Sequence, residues 1–98
     1  MKHQDTVALV GDLRTDDQRK KTRTALEEIW DTGVENLDID LSGVTAMDFD
    51  SLTELLEIRN RFIQAETRVE LKNIPLRINR IMHFFRVPVS GIHDSQYP

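Results

Sequence analysis

Cysteine is absent from this 98-residue chain, which removes disulfide staples and thiolate metal sites together. Glycine is scarce, with four in all, and no Gly-rich phosphate loop can be assembled from them. No apolar run approaches the roughly 20 residues that cross a bilayer, so membrane insertion is not expected. None follows Met1-Lys2-His3-Gln4-Asp5 either. A secretory signal is therefore not expected, and a cytoplasmic location is. A basic surplus is also missing. Seventeen acids against 13 Lys and Arg leave a net charge of −4, which argues against a general nucleic-acid binder. His3, His83 and His93 are scattered without ligand spacing, so no metal site is expected. No Ser-His-Asp arrangement stands out, and Asp38 and Asp40 on a wet strand face are explained by solubility. Neither catalysis nor a cofactor finds support.

What is present suits one small α/β domain. The apolar fraction is 39% and the charged fraction 31%, mixed in sign. Thr6-Val7-Ala8-Leu9-Val10 reads as a strand stopped by Gly11-Asp12. Thr15-Asp16-Asp17-Gln18 has capping-box spacing and opens a helix to about Asp31, ended by Gly33. Thr22, Ala25, Leu26, Ile29 and Trp30 share one face of it. Leu37, Ile39 and Leu41 alternate with Asp38 and Asp40, and Val69 and Leu71 alternate with Arg68, Glu70 and Lys72. That is the period of half-buried strands. Strands covered on both faces would read as continuous apolar runs, so helices are expected on one face of a largely parallel sheet. A central helix is predicted from about Ser51 to Ala65, with Leu52, Leu55, Leu56, Arg59, Phe62 and Ile63 on its inner face. A third starts near Pro75 and carries Ile78, Ile81, Met82 and Phe85. The domain is expected over residues 1–89, with a flexible tail at 90–98.

The most informative stretch is Leu37 to Ile63: strand, Ser-Gly turn, a second extended piece, an acidic corner and the long helix. Asp40-Leu41-Ser42-Gly43-Val44, then Met47-Asp48, then Leu52 opening the helix, resembles the STAS family, the sulfate-transporter and anti-sigma-factor-antagonist domains. Gly11-Asp12-Leu13 and Val69-Glu70-Leu71-Lys72-Asn73 extend the likeness. The resemblance implies a single STAS-like domain, with a small mostly parallel sheet and helices packed mainly on one face. Set against that family, the chain has little room for an extra N-terminal strand and no obvious last helix after Val89. Members that act as phosphorylation switches carry Ser or Thr after the Asp of Met47-Asp48, whereas Phe49 stands there in this chain. Asp50 occupies the place of a second Ser, and Ser51 that of Gly.

The candidate partner-binding residues are Asp48, Phe49, Asp50, Ser51 and Thr53 at the helix entrance, with Asp12 and Arg14 from the neighbouring turn. Free N–H groups at a helix start favour negative charge there. Ser51 with Glu54 fits a capping box, and this reading is favoured over Ser51 as a phosphoacceptor. Phe49 is either an exposed anchor or part of the local core, and both remain open. Asp50 supplies a fixed charge where a phosphate would add nearly two, so the corner is expected to hold one binding state. The basic cluster Arg14, Arg19, Lys20, Lys21 and Arg23 reads as a solvated face. The resemblance implies a non-enzymatic module that binds an anti-sigma or serine-kinase-like regulator. The alternative is a soluble subunit of a bacterial lipid-transport ABC system, docking on its ATPase. A weak homodimer stays open.

Overall fold

The computed structural model describes residues 4–85 and 92–93. Alternating apolar residues form β1 (Gln4–Asp12), β2 (Asn36–Ala46) and β3 (Arg68–Lys72). Between them run α1 (Asp16–Trp30) and α2 (Phe49–Gln64), followed by α3 (Leu76–Phe84) and a two-residue β4 (Ile92–His93). Every pairing is parallel, in the order β1-β2-β3-β4. Each strand is added on the same side of the one before. Crossovers of a single hand then carry all the helices to one face of the sheet. Val7, Leu9, Leu37, Ile39, Leu41, Val69 and Leu71 point to that face and are buried with Leu26, Leu52, Leu55, Phe62, Ile78 and Met82. The opposite face carries Thr6, Ala8, Asp38, Asp40, Glu70 and Lys72. Asp38 meets Lys72 Nζ at 3.3 Å there, and Asp40 accepts from the Ser42 N–H at 2.8 Å.

Several expectations change. Ser42-Gly43 is no turn: β2 runs straight through it. Between Ala8 and Val10, and again between Gly11 and Asp12, β2 spends one residue more than β1, which makes two bulges. These bring Ala46 opposite Asp12, so α2 starts beside the end of β1. Glycine suits position 43 at the first bulge, because a Cβ would lie 2.8 Å from Val10 Cγ1 and 3.2 Å from the Leu9 carbonyl, and the exposed Val10 would have to move. Phe85 is not a core residue but sits 39% exposed at the end of α3, and Ile63 is exposed on α2. Pro75 is the N-cap of α3 rather than its first helical residue. Thr15 caps α1 by accepting from the Gln18 N–H, and Gly33, at φ +68°, lets the chain leave that helix. Arg59, on the inner face of α2 as expected, is buried at 5% exposure, and burial lowers its pKa. The tail expected at 90–98 lies outside the described residues except for Ile92–His93, which pair with β3.

Candidate functional site

The entrance to α2 is built by Asp48, not Ser51. Asp48 is the N-cap: its Oδ1 accepts from the Ser51 N–H at 2.9 Å, and Ser51 Oγ accepts from the Asp48 N–H at 2.9 Å. This is a reciprocal capping box with Ser51 at its third helical position. The expected Ser51-to-Glu54 box is thereby corrected. Ser51 is 4% exposed and its hydroxyl reaches both Asp48 Oδ1 and the Asp48 carbonyl. A phosphoryl group on Ser51 would require this cap to open. The Ser51 N–H bond holds the Asp48 carboxyl below the usual aspartate range, helped by the Ser51 hydroxyl and by the charge of Arg19.

A signal in the sequence separates the two caps. With Asp48 as N-cap, the residues before the cap and at the fourth helical position are Met47 and Leu52. Both are buried in the core, at 5% and 1% exposure. That is hydrophobic-staple spacing. Ser51 as N-cap would put Asp50 and Leu55 there, which gives no staple.

Capping forces Phe49 and Asp50 into the first turn, pointing outward. Phe49 is 55% exposed, which settles its place outside the core. Its ring lies 4.8 Å from that of Phe85, and Phe85 stands edge-on to Phe84 at 5.1 Å. Phe84 is 79% exposed. Three aromatic rings from two helices thus form one surface patch beside Asp50. Sequence reasoning missed Phe84 entirely and assigned Phe85 to the core. Adjacent aromatics at the end of an apolar stripe were the available signal, since only one of two neighbours can face inward.

Asp12 and Arg14 lie at the end of β1, next to this corner. Arg14 donates from Nε and Nη2 to the two Asp12 oxygens at 2.9 and 2.8 Å. That fork, with the Arg14 N–H, lowers the Asp12 pKa to about 2. The charge of Asp48 adds a little to that of Asp12 in raising the Arg14 pKa. Asp12, Arg14, Asp48, Phe49 and Asp50 therefore share one surface region. Thr53 is half-buried one turn further along α2, beside Phe49 and Asp50. The basic cluster of α1 is largely spoken for within the fold. Lys21 pairs with Asp17 at 3.4 Å, and both Arg19 and Arg23 reach Glu54.

The family model of the STAS domain matches residues 14–90. The chain belongs to the STAS domain family. The match runs from just after β1 past α3 and includes the whole entrance of α2. STAS domains are generally non-enzymatic modules of protein–protein interaction. No curated protein matches the chain. Among the described residues no helix of this STAS domain is long and apolar enough to cross a membrane. No group of three or more of its described His, Asp and Glu residues is placed to hold a metal ion.

Removing the cap carboxylate tests the geometry. Asp48→Ala is expected to lower stability by about 1 kcal/mol, since the Ser51 N–H loses its acceptor and the Ser51 hydroxyl keeps only the backbone carbonyl. Asp48→Asn retains an acceptor and is expected to cost less. The sign with pH follows from the lowered carboxyl. In the wild type the cap is fully stabilising above the ordinary aspartate value, about 3.9. It is lost as pH falls through the lower folded value. Urea melts at pH 7 and pH 3 should therefore differ less for Asp48→Asn than for the wild type. Equal differences in the two proteins would refute this account of the cap.

Proposed function

We propose that this STAS domain is a regulatory interaction module of the anti-sigma-factor-antagonist kind, binding an anti-sigma or switch-kinase-type regulator without a Ser phospho-switch. The exposed Phe49 carries the reading. It sits on the surface at the first position of α2, where a switching member would present a hydroxyl, and it has no group to phosphorylate. Ser51, the nearest hydroxyl, is buried in the cap. Asp50 adds a permanent negative charge at the positive end of the helix, which stabilises it there. Such a corner offers one binding state at all times. Partner release would then come from synthesis, degradation or competition rather than from phosphorylation.

The same observation favours a second reading. A permanently competent corner also suits a constant subunit docked on the ATPase of an ABC transporter. Affinity capture of the tagged chain from its native cell, followed by mass spectrometry, separates the two. The first reading expects an ATP-binding serine-kinase-like regulator, and the second an ABC ATPase. With a recovered kinase and labelled ATP, the wild type is expected to take up no phosphate. Phe49→Ser is expected to become an acceptor. Stoichiometric phosphorylation of wild-type Ser51, Thr45 or Thr53 would overturn the unswitched reading.

A further inference from the structure

We infer that the free edge of β1 pairs antiparallel with β1 of a second copy of this chain, with Ala8 on the twofold axis and Lys21 of each α1 facing Glu28 of the other. This goes beyond the proposed function and does not depend on which partner the α2 entrance binds. Among the described residues β1 has a strand on one side only, β2. The Thr6 N–H is taken by the side chain of Asp5 at 2.9 Å. Thr6 therefore turns its backbone groups away from β2, and at the strand period so do Ala8 and Val10. Edge strands are normally blunted with charge, Pro or a bulge. Thr6-Val7-Ala8-Leu9-Val10 carries no charge and no Pro, and both bulges fall on β2. Val10 is 55% exposed on this edge.

The edge is complementary to itself. Antiparallel about Ala8, Thr6 of one copy faces Val10 of the other and Val7 faces Leu9, so β-branched and apolar side chains meet their like. Each pair joins residues of the same face, so both copies keep their helices on one side of a continuous sheet. Asp5 then falls opposite Gly11, whereas pairing about Val7 would set its charge against Leu9. The first helix adds a charge match. Arg19 and Arg23 reach Glu54 of α2. Lys21 and Glu28 stand half a turn round α1 from them, over the free edge, and both are exposed. Gln18 lies against Gly11, 3.1 Å from where a Cβ would stand. From Gly11 back to Ala8 is about 10 Å of strand, which corresponds to about seven residues of helix beyond Gln18. The axis through Ala8 thus passes near Ala25, and Lys21 and Glu28 straddle it. In the second copy α1 runs the other way, so each Lys21 meets a Glu28. Because α1 crosses from β1 to β2 over the gap between them, the two α1 axes lie about two strand spacings apart, about 9.6 Å, the distance of packed helices.

The test uses the full chain in sedimentation velocity at rising concentration, where a reversible dimer with a micromolar Kd is expected. Ala8→Lys puts two cations on the axis and should abolish it, and a thermal melt should show that this exposed substitution leaves the fold intact. Lys21→Glu and Glu28→Lys should each weaken self-association about tenfold. Mixed in equal amounts these two variants should pair with each other, since every facing pair is then of opposite charge. The absence of native cysteine allows a direct check of register. Two Ala8→Cys chains set their Cα atoms about 5.5 Å apart and should form a disulfide dimer on mild oxidation. Thr6→Cys should not, because the two Thr6 positions stand about 13 Å apart along the pair. A monomer at every concentration overturns the inference, as does a dimer that survives Ala8→Lys. Equal cross-linking by Thr6→Cys overturns the register, and failure of the two charge variants to pair overturns the meeting of the α1 helices.

Discussion

Phe49→Ala is expected to weaken binding of the native partner by about 2 kcal/mol, roughly thirtyfold in Kd. The estimate follows from where the ring sits. It is a large apolar side chain exposed at the α2 entrance, at 55%, and it touches another ring there. The tilted contact with Phe85 at 4.8 Å restricts its rotamers, so less side-chain entropy is lost on binding. The neighbouring carboxylates add charge recognition, but exposed charges contribute less than a desolvated ring. Stability should suffer little, because the ring is mostly in water and loses only one aromatic contact, about 1 kcal/mol. Phe85→Ala should act in the same direction by releasing Phe49. Titration calorimetry against the captured partner, alongside a thermal melt, gives both quantities. Unchanged affinity in a folded Phe49→Ala protein would remove the aromatic patch from the interface.

The second large effect is on the fold that holds the patch in place. Leu52→Ala is expected to destabilise the protein by about 2–5 kcal/mol, because a 1% exposed side chain in the first turn of α2 leaves a cavity. A domain of this size has about 5–15 kcal/mol in total, and about 4–8 °C is lost per kcal/mol. The melting temperature should fall by at least about 8 °C. Leu52 is the inner half of the staple whose outer half is Met47, so its loss also loosens the turn that presents Phe49. Affinity should drop even where the variant is folded, though less than for Phe49→Ala. A shift of under about 3 °C would show that α2 is anchored mainly by Leu55 and Phe62.

These two residues stand three apart and do opposite work, and that contrast is a product of the cap. Ser51 and Asp48 both suit an N-cap, and local spacing allowed either. Choosing Asp48 rotates nothing in the helix, since the apolar stripe of Leu52, Leu55 and Phe62 already sets its phase. What the choice changes is the status of the corner. Phe49 and Asp50 become first-turn residues with fixed outward directions, and Ser51 becomes an internal strut. The error in the sequence reading came from weighing the polar spacing without the apolar pair Met47 and Leu52 that flanks it.

Much of the architecture was legible from periodicity alone. Alternation at Leu37, Ile39 and Leu41 and at Val69 and Leu71 specifies strands with one wet face, since a period of two puts every second side chain in water. The stripes of α1 and α2 specify helices that cover the other face. Consecutive parallel strands then leave few topologies open. The family resemblance between Asp40 and Leu52 was carried by short-range pattern of the same kind. Contacts between elements were not legible. Phe85 is 36 residues from Phe49, and Arg23 is 31 from Glu54. Nothing local relates them, because their meeting depends on how α3 and α1 pack beside α2.

By itself, then, the order of residues determined which segments are strand or helix, which faces are apolar, and that an acidic turn opens the central helix. Those properties follow from backbone geometry and nearest neighbours. Only the tertiary structure decided that two bulges in β2 set the entrance of α2 beside Asp12 and Arg14. It alone gathered Phe49, Phe84 and Phe85 into one patch and paired Arg19 and Arg23 with Glu54. The physical reason is that strand register and helix packing are settled by the whole core at once. A one-residue bulge moves everything after it, and a short-range pattern holds no record of that displacement.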